Sequence, residues 1–310
     1  MRSDPLPRAR HRAHARIGPV TPSRARLPAV DVLALLAELG LEPRSFTLIG
    51  GYPRWDTGRV TYRVDLADGS TVKVRRVVKT ARPTRAAALV RTLADPRLPA
   101  PLALSGRVSV ERWVDGIPLD CVVVHSTHLC AAADLLADLH RRRSLPDRRF
   151  VRTGPVAPLR SRTFEHLDRL LAEGLLDRRE HDALAASVER DLPTRAARGV
   201  VHGDLCPANL VVTPDGQLVS IDNERVRINF LDHDLARTWT RWPMTPEEEH
   251  TFESRYREQG GSLPAQPAQL AWRVCTTVKS ASTLRGTPGT GPDTARALLE
   301  RILTDGAVRP

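Results

Sequence analysis

The segment 200–222, VVHGDLCPANLVVTPDGQLVSID, constrains the fold more than any other part of the chain. It holds two runs of β-prone residues, 210–213 and 218–221, on either side of the turn-forming sequence Pro-Asp-Gly-Gln at 214–217. Apolar runs that flank Pro, Asp and Gly in this way are typical of two antiparallel strands joined by a tight turn. The segment therefore predicts a β-hairpin.

The oxygen-bearing side chains of this segment are predicted to meet at the open end of the hairpin. If the loop has four residues, Thr213 faces Leu218 and Asn209 faces Asp222. Asp204 lies just upstream of Asn209. An amide oxygen and carboxylates are hard donors that suit Mg²⁺ when waters and substrate phosphates complete its shell. We expect a magnesium site that includes Asn209 and Asp222.

The pattern H-G-D-x-x-x-x-N followed by I-D-x-E, from His202 to Glu224, resembles the catalytic segment of the aminoglycoside phosphotransferase and choline kinase group, relatives of the protein kinases. The resemblance implies an α+β, protein-kinase-like two-lobe fold with a small antiparallel sheet in the N-terminal lobe and a mostly helical C-terminal lobe. It also implies ATP and Mg²⁺ as cofactors. Asp204 would accept the proton of a substrate hydroxyl, while Asn209 and Asp222 hold Mg²⁺ on the ATP phosphates.

Three further residues are placed in the site by the same resemblance. His202 belongs to the motif itself, Glu224 would help to hold the metal site, and Asp234 would brace the catalytic loop. Taken singly, these residues have simpler interpretations, since a lone histidine is more often packed or capping, and Asp and Asn beside Pro and Gly often form turns. Cys206 has no apparent acid or base partner, so we interpret it as a small buried side chain.

Period-two alternation predicts strands over 46–49, 60–66 and 71–78. The glycine-bounded loop 50–58 between the first two begins with Gly50 and Gly51. In kinase-like folds this loop lies over the ATP phosphates, so both glycines are candidate nucleotide-binding residues, although the spacing of the glycines matches no strict motif.

Lys73 is a candidate phosphate ligand because lysine is rare here, with only Lys73, Lys79 and Lys279 among 47 basic residues. The Asp-Gly turn at 68–69 predicts that Lys73 faces Val64 and shares a sheet face with Tyr62. From there its ammonium would reach the α and β phosphates. The alternative interpretation is a solvated edge-strand lysine.

The predicted helix 84–93 departs from the family, because it contains no acidic residue to pair with Lys73. Either the pair is made from elsewhere, or Lys73 is positioned by Asp222 and phosphate alone. The strand 107–114 resembles the segment that joins the lobes, and backbone groups around Glu111 and Trp113 would bind the adenine edge. We accordingly divide the chain into a tail (1–28), a nucleotide-binding lobe (29–113) and a catalytic, substrate-binding lobe (114–310).

The net charge of +11 and pI near 10.5 are compatible with an anionic partner. The Arg- and Pro-rich segment 1–28 predicts a disordered basic tail. No aromatic residue or nucleic-acid-binding motif accompanies its charge, so we expect no nucleic-acid partner. Four cysteines without a C-x-x-C pair and the lack of an apolar run of roughly 20 residues predict a cytoplasmic protein without a membrane span.

The expected partners are a nucleotide and a small molecule with a hydroxyl group, and the acceptor stays open. Aminoglycosides are polycations, and glutamates of the segment 247–258 could bind them, or could form an ordinary solvated helix start. The basic net charge favours a neutral or anionic acceptor, such as a sugar, a nucleoside-like natural product or a glycan. Trp239 and Trp242 could stack on a sugar or pack in the core. A catalytically inactive kinase-like binding protein is a further alternative, which the intact Asp204, Asn209 and Asp222 oppose.

Overall fold

The computed structural model describes residues 30–49, 60–76, 81–142, 153–284 and 292–304. Within them an antiparallel five-stranded sheet precedes a mostly helical part, which confirms the predicted α+β class. The tail 1–28 and the glycine pair Gly50 and Gly51 lie outside the described residues, so the predictions for them stay predictions. The division of the chain into lobes likewise stays a prediction.

The N-terminal sheet has the strand order β1-β2-β3-β5-β4. Its elements are α1 (Val30–Glu38), β1 (Pro43–Leu48), β2 (Val60–Leu66), β3 (Thr71–Arg76), β4 (Ala103–Ser105) and β5 (Val108–Arg112). Helix α1 buries Val32 and Leu36 against one face of the sheet, in a cluster with Tyr62 and Val64. The opposite face carries polar side chains, because side chains alternate along each strand.

Both predicted hairpin registers are wrong by one residue. In the β2–β3 hairpin, Lys73 pairs with Arg63 and not with Val64, so Lys73 and Tyr62 lie on opposite faces of the sheet. The backbone N–H of Leu66 donates to Ser70 at 2.8 Å, and Gly69 has a φ of +84°. The loop therefore has three residues and ends in a left-handed glycine, which is a common hairpin type.

The hairpin of the predicted metal site has the same kind of loop. Thr213 donates its backbone N–H to Gln217 at 2.9 Å, and Gly216 has a φ of +80°. Consequently Val212 pairs with Leu218, and the predicted pairing of Thr213 with Leu218 is wrong.

Eight α-helices and six strands make up the other regular elements among the described residues. These are α2 (Ala81–Leu93), β6 (Ile117–Pro118), α3 (Ser126–Arg141), β7 (Thr153–Pro155), α4 (Ala157–Ala172), α5 (Arg178–Asp191), β8 (Arg195–Val201), β9 (Leu210–Val212), β10 (Leu218–Ser220), β11 (Arg227–Phe230), α6 (Leu231–Arg241), α7 (Pro246–Glu258), α8 (Gln266–Leu284) and α9 (Pro292–Ile302). Capping boxes at Asp177 and Thr245 begin α5 and α7.

One large hydrophobic core joins the helices to the catalytic segment. Leu135 and Leu136 of α3, Trp272 of α8, and Val200 of β8 are buried in it. Helix α2 contributes Val90 and Leu93 to this core, so it packs on the C-terminal part although it lies between strands of the N-terminal sheet in sequence. In the part of the chain that the structure describes, no helix combines the length and apolarity needed to cross a membrane.

Candidate active site

The segment 202–209 is a loop that leaves β8 and returns into β9, and Asp234 of α6 fixes it. Asp234 accepts the backbone N–H of His202 at 2.8 Å and that of Gly203 at 2.7 Å. His140 of α3 lies 3.2 Å from the same carboxylate. Burial would raise the pKa of Asp234, but these donors and the nearby His202 outweigh it and lower the pKa. Asp234 thus lies where the sequence resemblance expected a residue that braces the loop.

Gly203 is required by the path of this loop. Its φ is +79°, and a Cβ built there would lie 2.7 Å from the backbone oxygen of Arg225. Any larger residue would be strained and would push the loop away from the segment that follows Asp222.

His202 is fully buried, and its uncharged imidazole joins two parts of the site by hydrogen bonds. Its Nδ1 accepts the backbone N–H of Asp204 at 3.2 Å, so its proton is on Nε2 and is donated to Ser220 Oγ at 2.6 Å. Ser220 in turn donates to Asn223 Oδ1 at 2.9 Å. Burial lowers the pKa of His202 more than the neighbouring carboxylates raise it. The histidine therefore links the loop to the end of β10 and does not contribute a charge.

Asn209 and Asp222 lie at the open end of the β9–β10 hairpin, but they do not face each other. The backbone N–H of Ile221 donates to Asn209 at 2.8 Å, so Ile221 is the partner of Asn209. Asp222 comes one residue later in the left-handed conformation, with a φ of 59°. Strain of this kind is concentrated at functional sites.

The donor set of these two residues fits Mg²⁺. Asn209 donates its Nδ2 to the backbone oxygen of Asp204 at 2.8 Å, which orients the amide and leaves Oδ1 as the acceptor. Amide and carboxylate oxygens are ligands suited to Mg²⁺ that keeps waters and phosphates in its shell. No group of three or more His, Cys, Asp or Glu side chains that could hold a metal ion occurs within the described ranges, so a site here depends on Asn209 and on the nucleotide.

Lys73 lies on the cleft face of the sheet, bound to two carboxylates. Its ammonium contacts Asp222 directly and lies 3.5 Å from Glu111 Oε2. Lys73 and Glu111 are cross-strand partners on β3 and β5. The acidic partner missing from α2 is therefore supplied by the neighbouring strand, which is the first of the two alternatives left open by the sequence, together with Asp222.

Arg75 is a site residue that the sequence analysis missed. Its side chain is only 2% exposed, and its guanidinium lies 2.6 Å from Asp222, 2.9 Å from Glu224 and 3.6 Å from Glu111. Burial would lower the pKa of Arg75, but the three carboxylates outweigh it and raise the pKa. Alternation along β3 from Lys73 to Arg75 was the available signal, since both residues point to the same face.

The strand pairing directs the backbone groups of Glu111 and Trp113 toward β3. The Trp113 N–H donates to Thr71 at 3.3 Å, and Glu111 pairs with Lys73, so the backbone groups of both residues point toward β3. Those of Arg112 alternate to the other side, where β4 has already ended. The expectation that backbone groups around Glu111 and Trp113 bind adenine stays a prediction.

Asp204 is surrounded by arginines, another feature that sequence analysis missed. Arg237 Nη2 and Arg241 Nε of α6 lie 2.8 and 3.4 Å from Oδ1, and Arg225 Nε lies 3.3 Å from Oδ2. Burial would raise the pKa of Asp204, but Arg237, Arg225 and Arg241 outweigh it and hold the pKa below its ordinary value. Asp204 is therefore ionised at neutral pH. The spacing of Arg237 and Arg241 on one helix face was the available signal.

The glutamates of α7 form structural contacts. Glu249 pairs with Arg273, Glu253 pairs with Arg257 at 3.3 Å and accepts from Gln269 at 3.0 Å, and Glu258 pairs with Arg255 at 3.3 Å. Trp239 and Trp242 are each 4% exposed and belong to the core. Cys206 is also buried, and burial raises the pKa of its thiol.

The sequence matches the model of a family described as the phosphotransferase enzyme family over residues 54–271. No curated protein sequence matches the chain.

Several solved structures share the fold. An apo macrolide 2'-phosphotransferase from Brachybacterium faecium is 17% identical, with a TM-score of 0.61 over 87% of this chain and 97% of that one. Choline kinase from Streptococcus pneumoniae is 16% identical, with a TM-score of 0.59 over 88% and 96%. An aminoglycoside phosphotransferase in ternary complex with ADP and hygromycin B is 17% identical, with a TM-score of 0.61 over 90% and 99%.

Proposed function

The chain belongs to the phosphotransferase enzyme family, and on that premise we propose that it transfers the γ-phosphate of ATP to a hydroxyl group of a small molecule. The observation that carries the proposal is the convergence of three elements on one cleft. The loop after β8 brings Asp204, the β9–β10 hairpin brings Asn209 and Asp222, and β3 brings Lys73 into contact with Asp222.

Asp204 is the base in this proposal. Its carboxylate accepts the proton of the acceptor hydroxyl as the hydroxyl oxygen bonds to the γ-phosphorus. The bond between that phosphorus and the bridging oxygen of ADP breaks, and the products are ADP and a phosphate ester. A lowered pKa is compatible with this role, because phosphoryl transfer has a loose transition state in which orientation of the hydroxyl matters more than strong deprotonation.

The remaining residues bind and orient the nucleotide. Lys73, held by Glu111, binds phosphate oxygens, and Arg112 offers backbone groups to the base. Asn209 and Asp222 would hold Mg²⁺. Glu224 would support the site indirectly, through its ion pair with Arg75. When bound, the ion would neutralise charge on the β and γ phosphates.

The substitution Asp204→Ala tests the proposal. Turnover of ATP against a library of alcohols, followed by mass spectrometry for addition of one phosphate, should be lost, while ADP binding measured by calorimetry persists. Asp215→Ala, which removes an exposed aspartate from the turn of the neighbouring hairpin, is the matched control and should keep full activity. Full activity of Asp204→Ala would remove the mechanism.

A catalytically inactive binding protein is the competing function. The absence of acid from α2 favoured it, but Glu111 now fills that place. Wild-type protein that binds ADP and phosphorylates no alcohol in the library would favour the inactive protein.

A further inference from the structure

The arginines around Asp204 leave an excess of positive charge at the place where the acceptor hydroxyl must bind. One carboxylate lies among the three guanidiniums of Arg225, Arg237 and Arg241. Among the described residues Asp204 is the only carboxylate within ion-pair distance of these three. The nearby Glu224 contacts Arg75.

This excess is costly because the centre of the cluster is shielded from water. The side chains of Asp204 and Arg237 are 13% and 11% exposed, and Arg237 Nε is buried without a hydrogen-bond partner. Burial lowers the pKa of Arg237, and Arg225 and Arg241 lower it further, against the opposing effect of Asp204. Like charges held together at low exposure repel one another, and an anionic ligand would offset that repulsion.

Two of the three arginines are accessible to such a ligand. Arg225 and Arg241 are 31% and 41% exposed, whereas Arg237 is buried against Asp204. The Nη2 of Arg241 has only the weak acceptor Cys206 Sγ at 3.7 Å. A guanidinium binds a phosphate or carboxylate through two parallel hydrogen bonds.

We propose that the acceptor is an alcohol that also carries an acidic group, a phosphate or a carboxylate. Arg225 and Arg241 bind this group while the hydroxyl lies on Asp204. The inference rests on the proposed function and narrows its acceptor class. Because both Nε atoms lie within 3.4 Å of the Asp204 carboxylate, the acidic group must be a few bonds from the reacting hydroxyl. A polycationic acceptor would meet repulsion at the same place.

Matched pairs of alcohols test the charge preference. Glycerol is compared with glycerol 3-phosphate and with glycerate. Glucose is compared with glucose 6-phosphate and with gluconate. Hygromycin B and choline serve as cationic acceptors. Mass spectrometry after incubation with Mg-ATP measures phosphate addition. We expect transfer to acidic members and a higher kcat/KM than for their neutral counterparts, and the two kinds of acid distinguish phosphate from carboxylate recognition. Transfer to neutral or cationic alcohols at equal or higher kcat/KM would overturn the inference and leave the proposed function intact.

Binding of inorganic phosphate provides a second measurement that needs no turnover. It is titrated calorimetrically into wild-type protein, Arg241→Gln and Arg257→Gln, each saturated with Mg²⁺ and a non-hydrolysable ATP analogue, which also fills the position of the γ-phosphate. Arg257 is an exposed arginine of α7 and serves as the control. Loss of one charged hydrogen-bonding partner should weaken phosphate binding roughly tenfold or more in Arg241→Gln, with ADP affinity unchanged, and leave Arg257→Gln like wild type.

Each outcome of the titration distinguishes the two proposals. Phosphate binding that is absent with the ATP analogue bound, or equal in wild type and Arg241→Gln, overturns the anion site. Binding that depends on Arg241, combined with no transfer to any alcohol, keeps the anion site and removes phosphate transfer. With an active acidic acceptor, Arg241→Gln should raise KM for that acceptor and leave KM for ATP unchanged.

Discussion

Arg75 Nη2 lies 2.6 Å from Asp222 Oδ1, on the carboxylate that we assign to Mg²⁺. Lys73 contacts the same oxygen. The carboxylate is therefore shared between two fixed cations before any metal ion binds, and Mg²⁺ must compete with them for its charge.

Replacing Arg75 by glutamine should ease Mg²⁺ binding, because one of the two competing cations is removed. We expect the Mg²⁺ concentration that half-saturates ADP binding to fall roughly tenfold, the effect of one charged hydrogen bond. Calorimetric ADP titrations at a series of Mg²⁺ concentrations measure it. Arg76→Gln is the control, since Arg76 pairs with Asp31 at 2.8 Å away from the cleft. An unchanged or higher Mg²⁺ requirement in Arg75→Gln would contradict the assignment of Asp222.

The substitution Glu111→Gln should weaken ADP binding roughly tenfold. Without the carboxylate 3.5 Å from its ammonium, Lys73 is drawn wholly to Asp222 and away from the phosphates. ADP affinity is measured alongside thermal unfolding, which shows whether the sheet is intact. Glu180→Gln removes a carboxylate of the same type from a distant ion pair with Arg296 and should bind ADP as wild type does. Equal affinities in the two variants would show that Lys73 needs no counter-ion on β5.

Alanine at Gly203 should destabilise the protein more than alanine at Gly216. Both glycines are left-handed, but a Cβ at Gly216 meets nothing within 4 Å, whereas one at Gly203 meets the Arg225 backbone at 2.7 Å. Gly216→Ala should cost about 1–2 kcal/mol of unfolding free energy from its backbone conformation alone. Gly203→Ala should cost at least about 1 kcal/mol more and should also lower activity. Urea denaturation of both variants gives the comparison, and equal losses would show that the loop yields easily.

Asp232 should make the protein less stable as pH rises, whereas a salt-bridged carboxylate makes a protein more stable as pH rises. Burial raises its pKa to about 6, above its ordinary value near 4. The folded state therefore holds the proton of Asp232 more tightly than the unfolded state does. The contribution of this proton to the free energy of unfolding is fully present below about pH 4 and is lost as pH rises through about pH 6. Asp232→Asn should raise the unfolding free energy at pH 8 by about 1–3 kcal/mol and change it little at pH 4.

Urea denaturation at the two pH values measures this difference. Asp115→Asn at an exposed site should show no such difference. A gain for Asp232→Asn that is the same at both pH values would mean that packing, and not ionisation, accounts for it.

Local sequence signals located strands of the N-terminal sheet and the hairpin that follows the catalytic motif. The strand over 60–66 lies where periodicity predicts it, and the helix predicted over 84–93 begins three residues earlier, at Ala81, whereas α6 was not predicted. The strand Arg195–Val201 was also missed, because arginine and alanine interrupt the alternation there. Both hairpin registers failed for one reason, namely that an Asp-Gly pair does not reveal whether the glycine closes a two-, three- or four-residue loop.

The surroundings of the motif depended on tertiary structure. Glu111 could not be recognised as the partner of Lys73 before strand β5 was placed beside β3. Arg225, Arg237 and Arg241 were hidden among 47 basic residues. Only the packing of α6 and of the segment after Asp222 against the loop that follows β8 brings them to one carboxylate. Spacing along the chain identifies residues of a local motif, whereas charge balance at a site is the result of the fold.

The location of Glu111 bears on how such an enzyme is controlled. Protein kinases switch off when a mobile helix carries the glutamate away from the lysine. Here both partners belong to adjacent strands of one sheet, and α2 is anchored in the other core. A swing of that helix therefore cannot separate the pair, and Lys73 keeps its carboxylate partner wherever α2 lies.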